Sequence, residues 1–309
     1  MKNFDLPDLN HRFGKDGHLS FKKGPGGLAI AEISNHHASA TIFLQGGHLA
    51  SWTPRSQQPV IWLSPMAQFG KGRPIRGGIP ICWPWFASHP TKPDFPFHGP
   101  ARTSLWEVAE TAVLDDGATF LALRLPVSET IQAVWPHQTP VEIRFTVGNI
   151  LEIELITRNE GTEPVVIGQA LHTYFRVGDV RKISIHGLDG CPYIDKLDDG
   201  PRKQQQATVE ISSEIDRIYL DSGGDCQIDD PSLKRRICIN KRGSHSTVVW
   251  NPWVDKAAAM PDMGVGCHAN MVCVETANAA DDVATISPGA EHKLWVRYSV
   301  EAATSNPPG

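Results

Sequence analysis

From residue 28 onward, short apolar runs alternate with clusters of Gly, Pro, Asp and Asn. That texture predicts many short strands separated by turns. Strands are expected over 28–33, 40–44 and 60–63, then over 119–125, 141–147 and 151–158. Leu151-Glu152-Ile153-Glu154-Leu155 alternates strictly, as a strand with one wet face does. Further runs lie at 165–168, 170–177, 183–186, 208–211, 236–240, 247–250, 271–275, 283–286 and 292–300. Only 254–260 reads as helix. About fifteen strands with almost no helix predict an all-β protein, a large antiparallel sandwich or barrel. The chain shows neither a repeat of fixed period nor a linker. The expected organisation is an irregular N-terminal segment, 1–27, followed by one domain, 28–304.

One stretch breaks the strand texture. Residues 73–106 hold seven of the 24 prolines, two of the 13 histidines and three of the nine tryptophans. They are too Pro-rich for a helix and too apolar for a disordered linker. Arg76 stands directly before Gly77-Gly78, and Arg102 ends the run His98-Gly99-Pro100-Ala101-Arg102. One reading is an ordered loop that packs Trp83, Trp85 and Phe86 into the core. The other is a site loop, with glycines for close backbone approach, aromatics for a sugar or base face, and arginines for an anion.

Composition narrows the field. A net charge of −5 argues against a nucleic-acid binder, yet an anionic substrate needs only one or two arginines. The six cysteines contain no C-x-x-C spacing, and free thiols are expected. The start MKNFDLPDLN lacks the features of a signal peptide, and no apolar run approaches the ~20 residues that span a membrane. A cytoplasmic protein without a membrane partner is expected, as a monomer. His36, His37 and His48 have no metal-site spacing, and neither H-E-x-x-H nor a phosphate-cradling loop is present. No metal or other cofactor is expected.

Candidate chemistry lies late in the chain. On a strand, His172, Tyr174 and Arg176 face one side, and Leu171, Thr173, Phe175 and Val177 face the other. The second set is the better core face, so His172 points to a polar side. It is either a hydrogen-bonded packing residue or a proton-transfer group. Glu275 ends the apolar run Met271-Val272-Cys273-Val274. It is either an exposed strand end or a buried carboxylate with a task. Asp216, in Asp216-Arg217-Ile218-Tyr219, reads as a salt-bridged turn or a ligand contact. Trp250-Asn251-Pro252-Trp253 sets two aromatic platforms near a turn.

Seven segments in this order resemble the hexose-6-phosphate mutarotase branch of the aldose 1-epimerase family. They are Gln45-Gly46-Gly47-His48-Leu49-Ala50-Ser51-Trp52; Ile75-Arg76-Gly77-Gly78-Ile79-Pro80 with Trp83-Pro84-Trp85-Phe86; and His98-Gly99 with Ala101-Arg102. Next come Ala170-Leu171-His172-Thr173-Tyr174-Phe175, Asp216-Arg217-Ile218-Tyr219, Val248-Val249-Trp250-Asn251-Pro252-Trp253 and Met271-Val272-Cys273-Val274-Glu275. The resemblance implies a galactose-mutarotase-like super-sandwich that interconverts the anomers of a hexose 6-phosphate, glucose 6-phosphate in the first place. It implies His172 as general acid and Glu275 as general base. Asp216 and His98 would contact the sugar, and Arg76 and Arg102 the phosphate. Phe97 and Pro100 depart from the pattern and adjoin the implied phosphate pocket.

Three other functions fit parts of the sequence. An epimerase of unphosphorylated aldoses would have no use for two arginines in one loop. A non-catalytic phosphosugar-binding module would keep the arginines and tryptophans but not need both His172 and Glu275. A glycoside hydrolase would pair Asp216 with Glu275 and leave His172 without a task.

Overall fold

The computed structural model describes residues 5–198 and 201–302, so the expected domain end at 304 lies outside the described residues. Among the described residues there are 22 strands and three short α-helices, and every strand pairing is antiparallel. The predicted all-β class is what the chain adopts. Strands Thr119–Leu125, Val141–Val147 and Leu151–Arg158 fall on their predicted bounds. The one predicted helix forms as Trp253–Ala259. Among the described residues no helix is long and apolar enough to cross a membrane, and all six cysteines are unpaired.

Two eight-stranded sheets carry the architecture. The first runs Ser184–His186, Cys226–Asp230, Arg235–Arg242, Glu291–Ala302, Leu151–Arg158, Val141–Val147, Thr119–Leu125 and Glu107–Val113. The second runs Lys203–Gln204, Pro192–Asp195, Ile215–Tyr219, Ser246–Asn251, Met271–Asn278, Gln169–Leu171 and Ile81–Cys82. Tyr174–Arg176 also pairs with Met271–Asn278. Leu155, Leu294, Val296 and Tyr298 of the first sheet share one core with Leu171, Phe175, Val249, Val272 and Val274 of the second.

Strand Met271–Asn278 is buried along its whole length. Its even-numbered Val272 and Val274 enter the main core, while Met271 and Cys273 join a separate apolar cluster with Tyr174 and Trp250. Side chains alternate across a strand, so Glu275 belongs to the second face.

Within the segment 1–27, expected to be irregular, the described residues form a helix and a strand. Asp5 caps helix Leu6–Phe13, and strand Leu19–Lys23 pairs with Ala29–Ser34 in a four-stranded sheet. Asn10 fastens the two elements, donating to the Phe21 carbonyl and accepting from its N–H, both at 2.8 Å. The strand is an edge strand that buries only Leu19 and Phe21 and leaves Lys22 and Lys23 exposed. Two apolar positions are too few to register as alternation. The run predicted at 170–177 is likewise interrupted, and 60–63 and 208–211 contribute only isolated bridges.

Phe175 is fully buried and meets the Tyr298 ring edge-on at 5.2 Å. It packs directly behind the face that carries His172. Phe175→Ala is expected to lower the unfolding free energy by about 3–5 kcal/mol, read as a reduced urea midpoint at unchanged slope. A loss below about 1 kcal/mol would show that the core refills the space.

Candidate active site

The site is laid out by strand register. Asp216 pairs with Trp250, Trp250 with Cys273, and Cys273 with Tyr174, so one row crosses four strands. Glu275 stands two residues along from Cys273, opposite Val248. His172 reaches the same face by a local departure from the ladder. Leu171↔Thr276 and Tyr174↔Cys273 keep a common register, but between them the Thr173 N–H turns back to the Leu171 carbonyl at 2.8 Å. The His172 N–H goes instead to the Pro80 carbonyl at 3.0 Å, and the Thr173 hydroxyl is tied to Tyr298 Oη at 2.6 Å. The predicted division of faces at Leu171 to Phe175 holds, except that Arg176 is exposed.

His172 Nε2 lies 3.4 Å from Glu275 Oε1. The His172 ring stacks on Tyr174 with centroids 4.9 Å apart and planes 12° from parallel, and it meets the rings of His98 and Trp250 edge-on. Burial pushes the Glu275 carboxyl well above its usual range, and the charge of Asp216 adds to the push. Burial, helped by Arg102 and Arg76, pushes His172 down to about 3. Glu275 Oε2 and His172 Nδ1 are buried without hydrogen-bond partners, so the pair keeps unspent capacity for a ligand.

His98 is held by backbone. It has a positive φ, and its Nδ1 accepts the Ala87 N–H at 2.9 Å, which leaves the ring proton on Nε2. Burial, with His172 and Arg102, lowers its pKa and keeps it neutral. Gly99 follows at φ +72, where a Cβ would lie 2.0 Å from the Trp83 carbonyl oxygen. Gly78 presses on His48 in the same way, a Cβ there falling 2.2 Å from Nε2. The glycines are therefore points of close internal contact, where a side chain would not fit.

The two arginines are held differently. Arg76 lies with Nε 3.2 Å from Asp262 Oδ1, and its Nη1 donates to Tyr174 Oη at 3.1 Å. Arg102 donates to the Phe97 carbonyl at 2.8 Å, and no carboxylate of the described residues lies within ion-pair distance of it. Burial lowers the Arg102 pKa, and repulsion from Arg76 acts in the same direction. A cleft of about 230 Å³ is lined by Arg76, His98, His172, Lys196, Asp216 and Glu275, among others. An adjoining hollow of about 130 Å³ is lined by Arg76, Arg102, Phe97, His98, His172 and Tyr174. All six residues singled out in the sequence thus border one continuous region.

Tyr174 and Trp250 were legible as neighbours of candidate residues. Asp262 and Lys196 were not, because each lies in a polar turn without a pattern. Lys196 makes no ion pair among the described residues and offsets the burial of Asp216. Trp83 and Trp85 are scaffold: their indole N–H groups bond Thr157 and the Pro96 carbonyl. Trp250 lines the cleft. Cys273 stands beside His172 and Glu275, their polar atoms within 4.8 Å of one another, but burial keeps its thiol protonated and so unfit to ligate a metal.

A two-sheet antiparallel fold with this face is that of a galactose-mutarotase-like protein. Similar folds include the galactose mutarotase related enzyme from Lactobacillus acidophilus, at TM-score 0.71 and 16% identity over 91% of this chain and 100% of that one. The sequence matches the aldose 1-epimerase family over residues 30–299. The chain belongs to that family of sugar mutarotases. An Escherichia coli protein bearing the name "Putative glucose-6-phosphate 1-epimerase" is 36% identical over 257 residues, 82% of this chain and 84% of its own. A crystal structure from Salmonella typhimurium, described as "a putative mutarotase", superposes with TM-score 0.86 at 31% identity over 92% and 94% of the two chains.

Buried neutral histidines make the fold acid-sensitive. Burial, with a lesser push from Arg102, holds His48 down to about 3. Between about pH 3 and 6.5 the unfolded chain carries a proton on His48 that the folded chain lacks, so stability falls as pH falls. His48→Gln removes this contribution. The slope of unfolding free energy between pH 5.5 and 4.5 should drop by about 1.4 kcal/mol per pH unit. An unchanged slope in urea titrations would mean that His48 is charged in the fold.

Proposed function

We propose that the protein is a hexose-6-phosphate mutarotase that interconverts the α and β anomers of glucose 6-phosphate. The observation that carries this reading is a His172–Glu275 contact of 3.4 Å beside a hollow lined by an arginine that lacks a carboxylate partner. Anomer exchange needs one base and one acid. Glu275 takes the proton from the C1 hydroxyl while His172 protonates the ring oxygen, and the bond from C1 to that oxygen breaks. Rotation about C1–C2 turns the other face of the aldehyde to the ring-closing hydroxyl. Reclosure with the proton roles reversed gives the other anomer.

The remaining residues orient the sugar. Asp216 accepts hydrogen bonds from ring hydroxyls, His98 donates from Nε2, and Trp250 offers an apolar wall. Arg76 and Arg102 take the 6-phosphate, for which guanidinium geometry allows two parallel hydrogen bonds. Arg102, whose hydrogen-bond partner among the described residues is a backbone carbonyl, gains most from an incoming dianion. The homologues' names point to the same substrate.

Exchange NMR of anomeric protons tests the reading, with glucose 6-phosphate, glucose and galactose in parallel. Acceleration of the phosphorylated sugar above the free sugars is expected. Faster exchange of free sugars would move the protein to the general aldose epimerases, and no acceleration would favour a binding module.

His172→Ala and Glu275→Gln should each slow exchange by about 10²–10⁴-fold with the fold retained. Normal turnover in either variant would sink its assignment. Arg102→Ala should raise KM for glucose 6-phosphate by about 10–100-fold, and KM for free glucose far less. Equal effects would remove the phosphate argument.

A further inference from the structure

The geometry points to a second role for the anion site: an oxyanion held by Arg76 and Arg102 converts His172 into its acid form, so the phosphate activates the chemistry as well as anchoring the sugar. This rests on the mutarotase reading. It deepens that reading by making the phosphate a switch.

The first support is where the charges lie. The hollow around both arginines is bordered by His172 and not by Glu275. A charge placed there acts unequally on the two members of the pair. The second support is a short buried path. Arg76 Nη1 donates to Tyr174 Oη at 3.1 Å, and the Tyr174 ring lies flat on the His172 ring. Tyr174 is almost fully buried, so the field of Arg76 is little screened along it.

The groups facing His172 can be taken in turn. Glu275 and Cys273 come from strand Met271–Asn278, His98 from the loop, and Tyr174 from the segment of His172 itself. Arg76, Arg102 and Lys196 supply positive charge. Burial keeps Cys273 protonated and His98 neutral. The arginines are therefore the charges whose effect an incoming phosphate cancels.

Left to the protein's own charges, burial and the arginines disfavour an imidazolium, while burial and Asp216 favour a protonated carboxyl. The pair holds its proton on Glu275. Ring opening requires the reverse, a carboxylate facing the C1 hydroxyl and an imidazolium facing the ring oxygen. A phosphate dianion offsets both guanidinium charges next to His172. The proton then passes from Glu275 Oε1 to His172 Nε2 across the 3.4 Å contact, and none is gained or lost. A sugar without phosphate meets the pair in the unproductive form. Its penalty falls on kcat as well as on KM.

Supplying the anion separately tests this. Anomer exchange of D-xylose, which lacks C6 and its phosphate, is followed by NMR with and without phosphite. Phosphite should accelerate it by about tenfold or more, the effect of one unit in the proton affinity of His172. The acceleration should saturate over the concentrations at which phosphite competes with glucose 6-phosphate. Phosphite that competes but leaves xylose exchange unchanged overturns the proposal. Failure to exchange glucose 6-phosphate at all is a different result, and overturns the mutarotase reading beneath it.

Arg102→Gln gives a second readout. Removing one repelling charge should make exchange of unphosphorylated glucose faster than in the wild type and weaken the phosphite response; slower glucose exchange counts against the switch. In wild-type protein labelled with ¹⁵N-histidine, the His172 ring signals should move from neutral to imidazolium positions as phosphite saturates. Signals that stay neutral at saturation overturn it without recourse to any variant.

Discussion

Glu275 sits in the interior of a strand that is buried on both faces, and the surrounding structure follows from that placement. An isolated ionised carboxylate cannot remain in such a place, so it must share a proton or find a cation. His172 is brought within 3.4 Å to share it, and this requires the backbone at His172 and Thr173 to leave the ladder. The departure is secured from three directions: by the Pro80 carbonyl, by Tyr298 from the opposite sheet, and by Phe175 in the core behind. The His172–Glu275 contact is thus a property of two sheets packed together.

Charge is distributed unevenly around that pair. Asp216 and Lys196 act on Glu275 in opposite senses, while Arg102, Arg76 and Lys196 all act against a charged His172. The two hollows meet at His172, with Arg76, His98 and Tyr174 on their shared border. Under the proposed function, a ligand with hydroxyls at one end and a dianion at the other satisfies both hollows at once.

Much of this was readable in the sequence where burial repeats with period two. Leu151–Arg158 alternates because one of its faces is wetter, and the division of Leu171, Thr173 and Phe175 from His172 and Tyr174 follows from the same rule. Glu275 was ambiguous for a physical reason. Residues 271–278 are buried on both faces, so no alternation distinguishes a strand end from a strand middle. The N-terminal hairpin escaped because an edge strand with two core contacts looks polar. Asp262 and Lys196 escaped because turns bring them to the cleft, and turn geometry leaves no periodic mark.

Arg102 is steadied by the main-chain carbonyl of Phe97, while the Phe97 ring stands about half exposed at the rim. Cation placement is thereby uncoupled from the identity of residue 97. Mutational drift can remodel the lip of the pocket, in bulk, polarity or reach toward the sugar, while every side chain at 97 leaves the same carbonyl in place. The position is a point where the rim can change character without the guanidinium beneath it losing its backbone partner.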